Sequence, residues 1–371
     1  MKFLDYIQVN PTIKLEKDKQ YPFVEMANAD VFAREPKQID IKKYSSGVKF
    51  QRGDTVIARI EPCLQNGKGF FVKNISEGFG STEFLVFRPK DDKVTNEFLY
   101  YFMLTDYIRK SMINSMTGAT GRQRVNKDIF KSLELSLPSV EKQKRIADIL
   151  SAYDDLIENN QKQIKLLEEA AMRLYKEWFV KIRFPGYENS KIVDGVPEGW
   201  RLVRVSELAE FKRGKTITKK NAKDGNVPVV AGGLEPAYFH NVANTVAPVI
   251  TISASGANAG YTRLYNTDIW ASDCSYIDAS YGDKLYFIYT FLKNNKEVID
   301  NLQRGAAQPH VYAKDINALS TYIPESTIME PFCNLVAPLF KKIAVQERLI
   351  SELKQARDKL LPKLMSGEIE V

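Results

Sequence analysis

Between residues 139 and 180, apolar side chains recur at alternating spacings of four and three. That rhythm commits the stretch to one long helix with a partner lying along it. Ile146, Leu150, Tyr153, Ile157, Ile164, Leu167, Ala171, Leu174 and Trp178 carry the stripe, and Asn160 supplies its polar rung. A 3.5-residue repeat kept over several heptads holds a single seam toward another helix. At about 1.5 Å per residue the helix would be on the order of 60 Å long. Leu166, Met172, Tyr175 and Phe179 lie off the seam, so a second face is also expected to be buried, against the globular parts of the chain or another subunit.

The partner is in the same sequence. A shift of 186 positions takes Ile146 to Phe332, Leu150 to Val336, Tyr153 to Leu339, Ile157 to Ile343, Asn160 to Gln346, Ile164 to Ile350, Leu167 to Leu353, Leu174 to Leu360 and Trp178 to Leu364. The polar rung meets a polar rung, a pattern that sets register. The same shift takes Leu137-Pro138 to Ile323-Pro324, and a shift of 187 takes Lys127-Asp128-Ile129 to Lys314-Asp315-Ile316. This is an internal duplication. It predicts globular unit, long helix, globular unit, long helix, with boundaries at 1–138, 139–183, 184–325 and 326–371. The fold class is α+β: two similar mixed domains separated by two antiparallel helices in an intramolecular coiled coil of approximate two-fold symmetry.

Composition narrows the function without naming it. The 371 residues, 44% hydrophobic, suffice for two ordinary cores. No apolar run approaches the roughly 18 residues of a membrane span, and Met1-Lys2-Phe3-Leu4-Asp5 lacks the core of a secretory signal, so a cytoplasmic protein is expected. Three scattered cysteines, Cys63, Cys274 and Cys333, argue against a disulfide framework or a zinc site and are expected to be buried. With only two histidines, His240 and His310, imidazole-based metal or nucleophile chemistry has little support. The net charge is +7, and residues 1–138 hold 22 basic against 17 acidic side chains, which is five of that surplus. Such a surplus permits nucleic-acid binding without proving it.

In the first unit Phe23–Met26, Thr55–Ile60, Gly69–Val72 and Glu83–Arg88 read as strands, and Asn96 to Met112 as a helix capped by Asn96. Residues 117–124, Thr-Gly-Ala-Thr-Gly-Arg-Gln-Arg, form a basic loop, and Leu133–Leu137 a last strand stopped by Pro138. Ser139 caps the first long helix. Pro and Gly between Phe184 and Trp200 mark a linker. In the second unit Val227–Val230 is a strand that Pro228 places at a sheet edge. Pro248–Ile252 stands where the Thr55 strand stood, Asp283 to Lys293 is the matching helix, and residues 303–310 are the matching loop. Pro338 falls inside the second seam, where a kink or break near Ala337 is expected, with a second distortion at Pro362 and termination at Gly367.

These phrases resemble the specificity subunit of type I DNA restriction and modification enzymes over nearly the whole chain. The carriers are Leu137-Pro138-Ser139-Val140-Glu141-Lys142-Gln143-Lys144-Arg145-Ile146-Ala147, Val196-Pro197-Glu198-Gly199-Trp200 and the final Leu360-Leu361-Pro362-Lys363-Leu364-Met365-Ser366-Gly367-Glu368-Ile369. The second copy departs at Glu325-Ser326-Thr327-Ile328-Met329-Glu330, and the first lacks a Pro-Glu-Gly-Trp lead-in. The resemblance implies a non-catalytic subunit with two target recognition domains, each reading half of a split, asymmetric site in double-stranded DNA. The helices would set the spacer and dock two methyltransferase subunits, and restriction (motor-nuclease) subunits could join. S-adenosylmethionine, ATP and Mg are then expected on those partners, with no cofactor, metal or catalytic residue in this chain. Neither an adenine-methyltransferase loop (Asn10-Pro11-Thr12-Ile13 lacks its second proline and aromatic) nor a Walker loop near Lys215 is present.

On that reading, phosphate contacts are expected from Lys49, Arg52, Lys68, Arg122 and Arg124 in the first domain, and from Lys212, Arg213, Lys215, Lys219 and Arg304 in the second. Base-edge contacts are expected from Arg59, Gln65, Asn66, Gln123, Asn258, Gln308 and His310, because Arg suits guanine and Asn or Gln suits adenine. Gly118, Gly121 and Gly305 would shape the loops. The competing function is a non-enzymatic scaffold whose two domains bind proteins, which fits the seams but leaves the basic loops without a reason. A standalone hydrolase or transferase lacks any nucleophile-base arrangement.

Overall fold

The computed structural model describes residues 1–305 and 308–371; Ala306 and Ala307, in the expected loop of residues 303–310, lie outside them. The chain divides into two compact units, Met1–Asn160 with Leu349–Val371, and Gln161–Arg348. Each unit therefore takes a part of both long helices. Among the described residues no helix is long and apolar enough to cross a membrane.

The first unit opens with α1 (Phe3–Tyr6), and its two four-stranded sheets are built from β1 (Ile7–Val9), β2 (Gln20–Val24), β3 (Asp40–Lys43), β4 (Val48–Gln51), β5 (Thr55–Ala58), β6 (Gly69–Phe71), β7 (Glu77–Gly80) and β8 (Phe84–Pro89). One sheet has the order β1-β8-β5-β6 and the other β3-β2-β7-β4, with β2 and β7 parallel. β5 and β8 read as unbroken apolar runs because the first sheet is covered on both faces. Val56, Phe84 and Val86 join a core with Val24 and Phe50 of the other sheet, while Ile57, Leu85 and Phe87 face helices.

The expected single helix after Thr95 is two, α2 (Asn96–Met103) and α3 (Asp106–Asn114). Thr95 rather than Asn96 is the cap, accepting from Phe98 N–H, and the extended Thr105 breaks the run while its hydroxyl donates to Phe102 O. A short hairpin, β9 (Met116–Thr117) with β10 (Arg124–Val125), then leads to α4 (Ile129–Ser132). Leu133–Leu137 is not a strand: its ladder is one bridge, Lys2 with Glu134, because α1 turns the opposite chain away after three residues. The first long helix, α5 (Val140–Tyr175), follows, with Ser139 Oγ accepting from Lys142 N–H, and ends in a wider π turn at Lys176–Val180.

The second unit repeats the plan. Hairpin β11 (Ile192–Val193) and β12 (Val196–Pro197) occupies the linker; β13 (Arg201–Arg204) leads into α6 (Val205–Leu208). Then come β14 (Lys212–Arg213), β15 (Val227–Val230), β16 (Tyr238–His240), β17 (Val249–Ser253), β18 (Thr262–Tyr265), β19 (Trp270–Ala271) and β20 (Cys274–Ile277). α7 (Lys284–Asn294), α8 (Lys296–Asp300) and α9 (Ala313–Asn317) precede β21 (Ser320–Ile323), which pairs with β13. The sheet order β14-β20-β17-β18 matches β1-β8-β5-β6 strand for strand, and β16-β15-β19 keeps the parallel pair seen between β2 and β7. Pro228 is not on an edge strand, since β15 is central. It is tolerated because β19 pairs only with Val229 and Val230, leaving Pro228 opposite Phe239 alone.

The last helix, α10 (Ser326–Ser366), is continuous through Pro338 and Pro362, so the expected break near Ala337 is absent. Pro338 lies on the exposed face while Val336, Ala337 and Phe340 are anchored in the core on either side, and the carbonyl it leaves unpaired is that of exposed Asn334. Gly367, at φ +76°, ends the helix as expected.

Within each unit the two long helices run antiparallel. In the first, Ile146 and Leu150 share a core with Leu364, while Asp154 meets Arg357. In the second, Gln163 meets Gln346, and Trp178 packs on Phe332 at 5.7 Å between rings. Ile157, Val336 and Ile343 are buried, and Ile164, Leu167, Leu174, Leu339, Ile350, Leu353 and Leu360 half-buried. Tyr153 is half-buried and its neighbour Asp154 takes the interior position. Asn160 donates to its own helix at Leu156 O, and Gln163 rather than Asn160 pairs with Gln346. Tyr175 and Phe179 pack on Phe287 and Phe332, covered by their own domain, whereas Leu166 remains exposed. Cys274 and Cys333 are buried, which pushes their thiols up to about 12 and about 11, but Cys63 is only half-buried.

Candidate nucleic-acid interface

In the first unit two segments meet where β5 ends. Beyond Ala58 the chain turns through Arg59 to Lys68, and the β9–β10 hairpin lies against it: Ile60 bridges Arg124, Val125 N–H donates to Arg59 O at 2.9 Å and Glu61 N–H to Gln123 O at 3.0 Å. The Glu61 carboxylate accepts from Gly121 N–H and Gln123 N–H, so it holds the hairpin tip. Gly118 and Gly121 sit at φ +123° and +82°, a backbone conformation side chains rarely take.

Beside this tip stands Glu83, immediately before β8. Its two oxygens accept from Arg124 Nε (3.0 and 2.9 Å) and Nη2 (2.8 Å), and from Arg59 Nε at 3.3 Å. Arg124, then Arg59, holds the Glu83 carboxyl below its ordinary range, and Glu83 raises Arg124 in return. Gln65 donates to Glu61 at 3.4 Å, and exposed Asn66 follows in the same turn. Arg59, Gln65, Asn66, Arg122, Gln123 and Arg124 are thus brought together. Lys68 closes the turn with its amine on Met26 O. Lys49 and Arg52 are elsewhere: Lys49 is on β4, donating to Ile13 O over the Tyr44 ring, and Arg52 precedes the opposite end of β5.

The second unit builds a corresponding place. After β17, Ser255 bridges His310, which pairs back to Arg304 through two backbone bonds of 2.9 and 2.8 Å, and Gly256 N–H donates to Pro309 O. Asp273, just before β20 as Glu83 is before β8, accepts from the Ser255 hydroxyl and faces Arg213 Nη2 at 3.7 Å. Lys212 and Arg213 are on β14, and Lys215 N–H donates to Ala271 O. Arg304 is paired with Asp315 at 2.8 Å, His310 stacks on Tyr312, and Asn258 ends the turn Gly256–Asn258. Gln308 is exposed, and Gly305 has φ +94°. Lys219 lies further along its loop, in a turn closed by Asn221 N–H on Thr218 O.

Sequence reasoning missed Glu61, Glu83, Ser255 and Asp273. The available signal was an acid one residue before the same strand in both copies. Among the described residues no group of three or more His, Cys, Asp or Glu is placed to hold a metal ion.

The fold and these paired loops define a duplicated α+β module, each copy presenting basic and amide side chains beside one corner of its sheet. The type I restriction modification DNA specificity domain matches residues 5–169 and again 197–355. The type I restriction enzyme MjaIX specificity subunit of Methanocaldococcus jannaschii is 30% identical over 76% of this chain and 71% of its own length. The putative MjaX specificity subunit of that organism is 24% identical over 99% and 92%, and the HindI specificity subunit of Haemophilus influenzae 23% over 86% and 87%. In fold, the chain is similar to the crystal structure of an S subunit from M. genitalium, with a TM-score of 0.57, 17% identity and coverage of 98% and 95%. The chain belongs to the family of type I restriction-modification specificity subunits, the DNA-recognising and non-catalytic components of those enzymes.

Proposed function

We propose that the chain reads a split, asymmetric DNA sequence, one half through each unit, and docks two modification subunits, with motor-nuclease subunits able to join. The observation that carries this reading is the repetition itself: the same sheet order occurs twice, each time with a turn after the third strand pinned to a second loop. One such corner suits one half-site, and where Arg124 bridges the turn in the first, His310 does so in the second, which suits unlike halves. The long helices would fix the separation of the halves. The reaction chemistry, with S-adenosylmethionine, ATP and Mg, would reside on the partners, and the complex would act on genomic DNA in the cytoplasm.

Exposed Arg122, Lys212, Arg213, Lys215 and Lys219 suit phosphate oxygens, while the loop amides of Gln65, Asn66, Gln123, Asn258 and Gln308 suit base edges. Mapping of methylated adenines should test the reading directly. Exchange of residues 184–325 for those of a relative should change one half of the methylated motif and leave the other half and the spacer alone. A change in both halves, or a motif indifferent to loss of this chain, would overturn it.

A further inference from the structure

We propose that Arg124 reads a guanine in the half-site assigned to the first unit, and that Glu83 is the positioning residue that aims it. The inference rests on the DNA-reading function above and moves Arg124 from the phosphate contacts expected of it to a base contact.

A guanidinium has two usable faces for paired acceptors: the side edge, Nε with Nη2, and the end edge, Nη1 with Nη2. Glu83 takes the side edge of Arg124 with both oxygens at 2.8 to 3.0 Å. The end edge is left, with only a 3.3 Å bond from Nη1 to Arg122 O, and the side chain is 42% exposed. Two parallel N–H donors on that edge match O6 and N7 of guanine in the major groove, an acceptor pair no other base presents.

The carboxylate also argues against a phosphate role. Glu83 cancels one of the two charges carried by Arg59 and Arg124 and sits in direct contact with the guanidinium, so it weakens the field a phosphate would feel. What it adds is direction. Arg124 is held from below by Glu83, Glu83 is held from the other side by Arg59, and the hairpin carrying Arg124 is pinned through the backbone to Ile60 and by the Glu61 carboxylate. A fixed end edge discriminates acceptor patterns; a floppy cation does not.

The test uses the chain assembled with its own modification subunits, acting on duplex DNA in which the first unit's half-site is randomised, with methylated adenines mapped on single molecules. Arg124→Lys keeps a cation beside Glu83 but loses the paired donors. Glu83→Gln keeps the shape but loses the charge-assisted clamp. Both should reduce preference for guanine at one position by about tenfold or more, with the other half-site read as before. An even fall in methylation at every site without relaxed preference, at unchanged melting temperature, would mark a phosphate contact or a structural role and overturn the proposal. So would an unchanged motif, or a first half-site containing no guanine. Should exchange of a whole unit fail to alter its half-site, the split reading itself falls, a different outcome from losing this one contact.

Discussion

Arg357 is the residue on which the helix pairing in the first unit turns. It stands where the duplication has Ala171 in the other copy, inside a seam otherwise apolar, and it is 4% exposed. Burial works against its charge, but Asp154 and Asp358 outweigh that and hold it protonated. Asp154, 2% exposed, accepts from Arg357 Nη1 at 2.5 Å and from the Tyr101 hydroxyl at 2.6 Å. One group from α10, one from α5 and one from α2 therefore converge. Arg357→Ala should cost about 3 to 5 kcal/mol in urea unfolding because it strands a buried carboxylate, whereas a double replacement of Arg357 and Asp154 by leucine should recover most of that loss. An equal loss in single and double variants would show that the pair contributes nothing specific. Such a pair fixes register because sliding α10 by one turn would part the two charges and leave the buried Asp154 with the Tyr101 hydroxyl but no cation.

At the scale of elements, α10 shows how tertiary packing outweighs local propensity. Proline in a helix interior is about 3 kcal/mol worse than alanine, yet α10 does not break at Pro338. The exposed position lets water take the unpaired carbonyl, and the buried residues on both sides hold the turn. Pro338→Ala should stabilise the protein by about 1 to 2 kcal/mol, part of the gain being offset by a freer unfolded chain; chemical denaturation checks it. Strands β5, β15 and β17 were legible because they are short apolar runs bounded by turns, and α7 because its apolar positions follow the helical period. The long helices were legible because their seams repeat at a fixed offset. Less visible were features that depend on what the chain meets after folding. Asp154 and Arg357 look like surface residues by type, and their burial follows only from finding each other. Pro228 has an edge signature yet lies in a central strand, because its partner on that side starts one residue later. The candidate site was legible in its loops and opaque in its organisers: Arg59 and Arg124 stood out as basic, but Glu83, 41 positions from one and 24 from the other, was marked only by its place before the strand, which ties it to neither arginine.

At the scale of the whole molecule, duplication explains why so much followed from a single offset. Both units keep the order of one four-stranded sheet, the helix after it and the turn that meets a second loop, while the charged and amide side chains on those loops are arranged differently. The division of the chain has another consequence, for synthesis. Leu349–Val371 is made after residues 161–348, yet it belongs with Met1–Asn160, where Leu364 fills a core beside Ile146 and Leu150. Residues 1–160 must wait for that later segment before their apolar gap closes. A stop codon at position 349 should accordingly harm the early-made domain rather than its late-made neighbour, and proteolysis of the truncated product should cleave within residues 1–160 first.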